Sequence, residues 1–297
     1  MDHANLVIFR TVAAELSITR AAKRLGRVQS NVTTRIQQLE EELGVALFRR
    51  DGNRLSLSPE GERFLGYADR MLALAEEARQ MLHPQTPAGE LRIGTMESTA
   101  ASRLPTPLAR FHRQWPQVKL KISTAPSRPM IEQVHSGLLD CALVALPPCG
   151  DMASVADLEA MGLRGEPVFR EEMLLLVPPG HPPVHKAEDI VVRSLAAFAQ
   201  GCSYRALVES WLGSDALSFD AQEVGSYHSM LACVASGTSI CLIPRSVLEL
   251  LHEVPDIQVY PVAEVQTWLV WRHGYDTAAF SALREVLTPL PQPEAVA

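Results

Sequence analysis

The chain has 297 residues, 47% of them hydrophobic and 21% charged, with a formal net charge of −7. That length suits about two or three domains, no apolar run reaches the ~18 residues of a membrane span, and the acidic balance excludes a generic polybasic binder.

The charge is unevenly spread. Residues 1–58 carry nine Lys/Arg against six Asp/Glu, and the rest carry eighteen against twenty-eight. An acidic body with a small basic head fits a local contact with a polyanion. The start "MDHANLVIFR" lacks the basic-then-apolar order of a secretory signal, so a cytoplasmic location is expected. Five cysteines (Cys141, Cys149, Cys202, Cys233, Cys241) form no C-x-x-C pair. An odd set without that spacing fits reduced thiols, neither a disulfide framework nor a zinc ribbon. Nine histidines are scattered without ligand spacing, so no metal is expected. No G-x-S-x-G, H-E-x-x-H, P-loop or G-x-G-x-x-G motif occurs, which argues against an enzyme.

In chain order, Leu6, Phe9, Val12, Ala13 and Leu16 define a first amphipathic helix. Ser17 is a suitable N-cap for a second, Ile18–Leu25, which Gly26 ends in the left-handed turn conformation. A third helix begins near Gln29 or Ser30. Val32, Ile36, Leu39 and Leu43 form its apolar stripe. Ser30, Thr33, Thr34 and Gln37 lie on the other side, with Arg35 near the edge. Helix, tight turn and helix make a helix-turn-helix arrangement. The acids Glu40, Glu41 and Glu42 at the end of the third helix look out of place beside phosphate. Two short alternating runs, Leu47–Arg50 and Arg54–Leu57, then flank Asp51-Gly52-Asn53, a hairpin signal. An arginine-rich hairpin there is a wing.

Ser58-Pro59-Glu60 reads as a helix start, and the helix should run to about Leu82. Phe64, Tyr67, Met71, Leu74, Ala78 and Met81 repeat at 3-4-3-4-3. That spacing is either a coiled-coil seam or one face packed on its own domain. Pro84 and Pro87 close the helix in a linker, "HPQTPAG".

From Gly89 strands and helices alternate. "ELRIG", "VKLKIST", "CALVAL", "EEMLLLVP", "SICLIP", "IQVYPV" and "TWLVW" read as strands. Helices fall through 104–114, 130–137, 204–212, 228–235, 245–251 and 277–287, with a frayed proline-rich tail after Thr288. Such alternation implies a mostly parallel α/β sheet, and its size suggests two lobes with a cleft.

"ELSITRAAKRLGRVQSNVTTRIQQLEEELGVALFRRDGNRLSLSPEGERFL" resembles the N-terminal region of LysR-type transcriptional regulators. The family's A-A-x-x-L appears as Ala21-Ala22-Lys23-Arg24-Leu25. Its L-E-x-x-L-G-x-x-L-F-x-R runs from Leu39-Glu40 to Arg49, and its L-T-x-x-G is Leu57-Ser58-Pro59-Glu60-Gly61. "GELRIG", "GLLDCALV" and "SGTSICLIPRSV" are similar to the family's effector domain. "MESTAASRLP", "GCSYRALVESWL" and "YHSMLACVASG" together resemble a narrower subgroup that includes a putrescine-responsive regulator. The resemblance implies an α/β protein in three parts: an N-terminal winged helix-turn-helix domain (1–58), a long linker helix and hinge (59–88), and a two-lobed effector domain like type 2 periplasmic binding proteins (89–297). It implies a double-stranded DNA operator, a dimer through the linker helix, a tetramer beyond it, and a small-molecule co-inducer.

On that reading Gln29, Ser30, Asn31, Thr33, Thr34 and Gln37 face the major groove, where hydroxyls and amides pair with base edges. Arg27, Arg35, Arg49, Arg50 and Arg54 hold phosphates. Many members have S-Q-S-A-V-S-R-Q-I where this chain has Val28-Gln29-Ser30-Asn31-Val32-Thr33-Thr34-Arg35-Ile36, so its operator should be its own. In the effector domain the cleft belongs beyond strand ends, where helix N-termini present free N–H groups. Glu97, Ser98, Thr99, Thr124, Ser127, Cys202, Ser203, Tyr204, Arg205, Tyr227 and His228 sit at such places. Ser98, Thr99 and Ser203, each taken alone, are better explained as helix caps. Ser98, Thr99 and Arg205 suit a carboxylate and Glu97 an ammonium, so the effector is an amino acid, a polyamine or a carboxylate. The alternative input is thiol oxidation at Cys202, the position of the reactive cysteine in peroxide-sensing relatives. Here no second cysteine follows within "SYRALVESWLGSD".

Overall fold

A computed structural model describes residues 1–52, 54–82, 86–147, 154–213, 219–253 and 255–287. Asn53 of the hairpin turn, Pro84, Cys149 and the tail from Thr288 lie outside the described residues. The chain divides into two compact units, 1–83 and 84–297.

In the first unit α1 (His3–Glu15), α2 (Ile18–Leu25) and α3 (Gln29–Leu43) precede β1 (Phe48–Asp51), β2 (Arg54–Leu57) and α4 (Pro59–Met81). Ser17 caps α2 by accepting from the Arg20 N–H at 3.3 Å, and Gly26 ends the helix at φ +63°. Phe9, Val12, Ala21, Val32, Ile36, Leu39 and Leu47 are fully or almost fully buried and form one core with Ala68 and Leu72 of α4. The hairpin pairs antiparallel, Phe48 with Leu57 through Asp51 with Arg54.

Helix α4 carries two apolar stripes. Ala68 and Leu72 pack inward, with Phe64 and Met71 beside them. Tyr67, Leu74 and Met81 are 60%, 65% and 53% exposed. The six-residue repeat therefore divides: Phe64 and Met71 serve the unit's own core, and Tyr67, Leu74, Ala78 and Met81 face outward.

The second unit begins with β3 (Gly89–Thr95), α5 (Glu97–Ser102), α6 (Pro105–Gln114), β4 (Val118–Thr124), α7 (Ser127–His135) and β5 (Cys141–Ala145). It continues with α8 (Val155–Ala160), β6 (Leu163–Val177), β7 (Ser194–Ala197), α9 (Ser203–Leu212), β8 (Asp220–Glu223) and α10 (Tyr227–Ala235). It closes with β9 (Cys241–Pro244), α11 (Arg245–Leu248), β10 (Gln258–Arg272) and α12 (Ala278–Leu287).

Six strands form one sheet in the order β4-β3-β5-β10-β6-β9, and β7 pairs β8 separately. Only β4, β3 and β5 run parallel within the six-stranded sheet; β10 is antiparallel to β5 and β6, and β9 to β6. The sheet is thus mixed, which corrects the mostly parallel expectation. Its cause is β10, where "IQVYPV" and "TWLVW" are one 15-residue strand. The register shift between Pro261 and Ala263 breaks the alternation that the sequence displays. Proline lacks the ladder N–H and sits at such irregularities. The helix expected through 104–114 is α6, which Pro105 starts, and the short α5 precedes it.

β6 and β10 run side by side for 15 residues each and pass through both lobes. One lobe's core holds Leu91, Ile93, Phe111, Leu143, Trp271 and Phe280. The other's holds Leu174, Leu176, Tyr227, Met230, Leu231 and Ile243. A third cluster, with Met130, Val144, Leu175, Tyr204 and Leu242, joins them. Strand β5 alternates between clusters, Cys141 and Leu143 in one and Ala142 and Val144 in the other, which explains its unbroken apolar run.

Gly61 marks the closest approach in the first unit. A Cβ there would lie 2.0 Å from the Leu47 carbonyl oxygen. Gly61→Ala is expected to lose roughly 1–3 kcal/mol or more, because backbone cannot yield as a flexible side chain does. Denaturant unfolding should show a lower midpoint; an unchanged midpoint contradicts the packing.

Candidate functional site

The first candidate surface is on α3 and the hairpin. Gln29, Ser30, Asn31, Thr34 and Gln37 are exposed, as are Arg27, Arg49, Arg50 and Arg54. Ser30, Thr34 and Gln37 follow one another at helical spacing, opposite the buried Val32, Ile36 and Leu39. Arg27 donates to the Asn31 Oδ1 at 3.2 Å, and the Thr19 hydroxyl donates to the Gln29 Oε1 at 3.2 Å. Thr33 is half-buried and spends its hydroxyl proton on the Gln29 carbonyl at 3.1 Å. Arg35 is also half-buried, 3.6 Å from the Asp2 carboxylate at the start of α1. These two are the least available of the proposed contacts.

The acids after Gln38 have other work. The Glu40 carboxylate accepts from the Leu47 N–H at 2.7 Å and the Phe48 N–H at 3.1 Å. Glu42 pairs with the Met1 amino group. A carboxylate near a helix C-terminus costs ~0.3–1 kcal/mol against the macrodipole. Hydrogen bonds to a charged group return about 1.5–3 kcal/mol, so the clamp outweighs it.

The second candidate site is a cleft of about 300 Å³ in the second unit. The turns after β3, β4, β7 and β8 line it, through Met96, Glu97 and Ser98, then Thr124 to Ser127, then Phe198, Ala199 and Cys202 to Tyr204, and Gly225 with Tyr227. The N-termini of α7, α9 and α10 therefore open onto it. Of the eleven residues expected there, Glu97, Ser98, Thr124, Ser127, Cys202, Ser203, Tyr204 and Tyr227 line the cleft, and Thr99, Arg205 and His228 do not.

Arg205 is corrected by its partners. Its guanidinium donates to the Glu209 carboxylate at 2.8 Å, the Glu223 carboxylate at 3.0 Å and the Phe198 carbonyl at 3.1 Å. It fastens α9 to β8 and offers no free charge to a ligand. Glu209, four residues on, was the available signal. Ser203 is not a cap either: Cys202 occupies the N-cap position. The Ser203 hydroxyl lies 2.8 Å from that of Ser127 and 3.0 Å from the Ala145 carbonyl, while the Ser127 oxygen accepts from the Ala145 N–H at 3.2 Å. These two serines tie the lobes together at the cleft. The hydroxyls of Ser98, Thr99, Tyr204 and Thr267 are buried and find no hydrogen-bond partner among the described residues. The Tyr204 hydroxyl faces those of Ser98 and Thr267.

Beside that group lies a second link that pattern reading missed. Arg103 donates to both oxygens of the buried Glu171 of β6, at 2.7 and 2.9 Å. The Ser246 hydroxyl of α11 donates to the same carboxylate at 2.7 Å. Partners 68 and 75 residues apart leave no local trace. Burial raises the Glu97 carboxyl above its ordinary pKa, partly offset by His228. Burial, assisted by Glu171, also pushes the Tyr204 phenol up.

An exposed polar helix face with an arginine hairpin, on the same chain as a two-lobed unit enclosing a cleft, defines a ligand-responsive DNA-binding regulator. Residues 3–62 match "Bacterial regulatory helix-turn-helix protein, lysR family" and residues 84–290 match "LysR substrate binding domain". The chain belongs to the LysR family: it is a DNA-binding transcriptional regulator with a C-terminal effector-binding domain. It is 34% identical to the HTH-type transcriptional regulator GltR of Bacillus subtilis (strain 168), over 95% of this chain and 94% of that protein. The uncharacterized regulator YusT of the same strain is 32% identical, over 99% and 98%. In fold, a full-length OxyR of Pseudomonas aeruginosa matches with a TM-score of 0.71 at 24% identity, over 97% of this chain and 94% of that one. CbnR complexed with its target DNA matches at 0.67 and 20%, over 97% and 99%. No helix among the described residues is long and apolar enough to cross a membrane.

Cys202 is only partly exposed, and burial raises its thiol pKa, offset in part by the N–H groups of Tyr204 and Arg205. The sign is clear: a raised pKa means less thiolate at pH 7 than in a free cysteine, and the thiolate is the nucleophile. Alkylation of Cys202 by iodoacetamide at pH 7 should be slower than that of a model thiol peptide. It should accelerate only as pH passes above the ordinary thiol range, followed by mass spectrometry.

Proposed function

We propose that this regulator reads its operator with the exposed stripe Ser30, Thr34 and Gln37, flanked by Gln29, Asn31 and Thr33. Arg27, Arg49, Arg50 and Arg54 grip phosphates, and Arg35 contributes after release from Asp2. The observation that carries this reading is the exposure of that stripe opposite a fully buried apolar face. Helices that enter a groove read with their N-terminal half; at the other end of α3, Glu40 holds the wing and Glu42 the Met1 amino group. Cytoplasm is where such a protein meets its operator.

Two copies pair through the outward stripe Tyr67, Leu74, Ala78 and Met81 of α4, and pairs of dimers make a tetramer. A twofold pair presents two heads to two half-sites. A small effector from among amino acids, polyamines and carboxylates, including the diamine of the subgroup resemblance, enters the cleft and changes how the lobes close. Closure shifts a pre-existing equilibrium between states of different operator geometry. Thiol oxidation at Cys202 is the weaker reading, since burial holds the thiol protonated.

Selection of bound sequences from random duplex DNA tests the reading head. Thr34→Ala or Gln37→Ala should relax preference at defined positions by about 1–3 kcal/mol. Arg49→Ala and Arg50→Ala should instead weaken all sequences alike, each lowering the salt slope by about 1. Equal effects on all duplexes from Thr34→Ala and Gln37→Ala would remove the assignment. Leu74→Glu, at a site with little to lose within its own unit, should lower the oligomeric state in sedimentation while leaving the circular dichroism spectrum unchanged.

A further inference from the structure

We infer that the cleft takes a zwitterionic amino acid with an uncharged, apolar side chain: its carboxylate at the hydroxyl and helix-terminus end, its ammonium at Glu97. This rests on the reading of the cleft as the effector site and narrows it to one chemical class.

Five observations carry it. Ser98 and Tyr204 line the cleft, are 2% and 4% exposed, and hold hydroxyls with no partner among the described residues. The Tyr204 hydroxyl faces those of Ser98 and Thr267, and a group of hydroxyls turned toward one another keeps a proton to donate to an entering carboxylate. The N-terminal turns of α7, α9 and α10 open onto the same space and add N–H groups and partial positive charge.

No lysine or arginine is among the described lining residues. The neighbouring arginines have carboxylate partners: Arg205 with Glu209 and Glu223, Arg103 with Glu171, and Arg128, next to Ser127, 3.8 Å from Glu132. Hydroxyls and helix ends can hold one carboxylate. A second would enter without a counter-charge, which disfavours dicarboxylates.

Glu97 is the one acid among the described lining residues. It makes no ion pair with a described arginine or lysine; it is exposed at the cleft and only partly desolvated, which raises its pKa against the opposing effect of His228. An ammonium placed beside it restores the balance. A diamine would pair one end there and leave the other among the positive helix termini. The remaining walls, Met96, Ala125, Pro126, Phe198 and Ala199, are apolar, and about 300 Å³ leaves room for an aliphatic or single-ring side chain.

The test is titration calorimetry on the full-length protein with seven probes: L-leucine, L-methionine, L-phenylalanine, L-glutamate, putrescine, 4-methylpentanoate and 3-methylbutylamine. At least one of the three neutral amino acids should bind saturably. The acid and the amine, each lacking one charge, should bind at least about tenfold more weakly, and Glu97→Gln should weaken the amino acid by a similar factor. The far-ultraviolet circular dichroism of Glu97→Gln should match that of the parent protein, which separates loss of a contact from loss of fold. The inference is overturned if none of the three binds, if a singly charged probe, glutamate or putrescine binds as tightly, or if Glu97→Gln has no effect. Alkylation of Cys202 separates the two levels of failure. A glutamate, putrescine or 4-methylpentanoate that binds and shields Cys202 keeps the cleft as effector site and removes the amino-acid class. A probe that binds without shielding Cys202, and is indifferent to Ser98→Ala, removes the cleft itself.

Discussion

The segment Ala46–Phe48 is the point on which the DNA-reading unit depends. Its N–H groups at Leu47 and Phe48 are taken by the Glu40 carboxylate, at 2.7 and 3.1 Å. Its carbonyls are taken by Ser58: the Leu47 oxygen accepts from the Ser58 N–H at 2.9 Å, and the Ala46 oxygen from the Ser58 hydroxyl at 2.6 Å. Ser58 also caps α4 through the Gly61 N–H at 2.9 Å, and Gly61 lets the helix rest against the Leu47 oxygen. One short stretch thus fixes the end of the reading helix, the root of the wing and the start of the long helix. Buried backbone groups must be paired, and here two side chains and one glycine do it for three elements at once.

The effector unit depends on a different device. β6 and β10 are long enough to belong to both lobes, so the lobes share a sheet and meet at a hinge in it. Contacts across the hinge are polar and specific: Ser127 with Ser203 at the cleft, and Arg103 with Glu171 and Ser246 behind it. A buried carboxylate that loses its partners is strongly penalised. These polar ties hold the two lobes together on either side of the shared sheet. The buried hydroxyls of Tyr204, Ser98 and Thr267 face one another close to Glu171.

Much of the first unit was legible in the sequence because its signals are local. Ser17, Gly26, Ser58 and Pro59 act within one helical turn, and each boundary falls where they place it. The hairpin rests on Asp51 and Gly52. In the second unit strand and helix positions were readable, while strand direction was not. Pro261 and a polar stretch masked the continuity of β10, and with it the mixed sheet. The cleft was placed by the rule that helix N-termini follow strand ends, which put eight of its eleven proposed residues in the lining. Arg205 was misjudged because charge in a sequence does not say which partner claims it.

What the sequence by itself determined is the order of elements, their caps, the polar face of α3 and the family pattern. All are properties of residues within a few positions of one another, where backbone geometry dictates who meets whom. Only the tertiary structure decided which charges are free and which are used. Glu40 holds the wing, Arg205 is locked by Glu209 and Glu223, Arg103 is locked by Glu171, and Glu97 is left facing the cleft. The physical reason is that ion pairs and buried hydroxyls are satisfied by whatever the fold brings near, and most of these partners lie far along the chain.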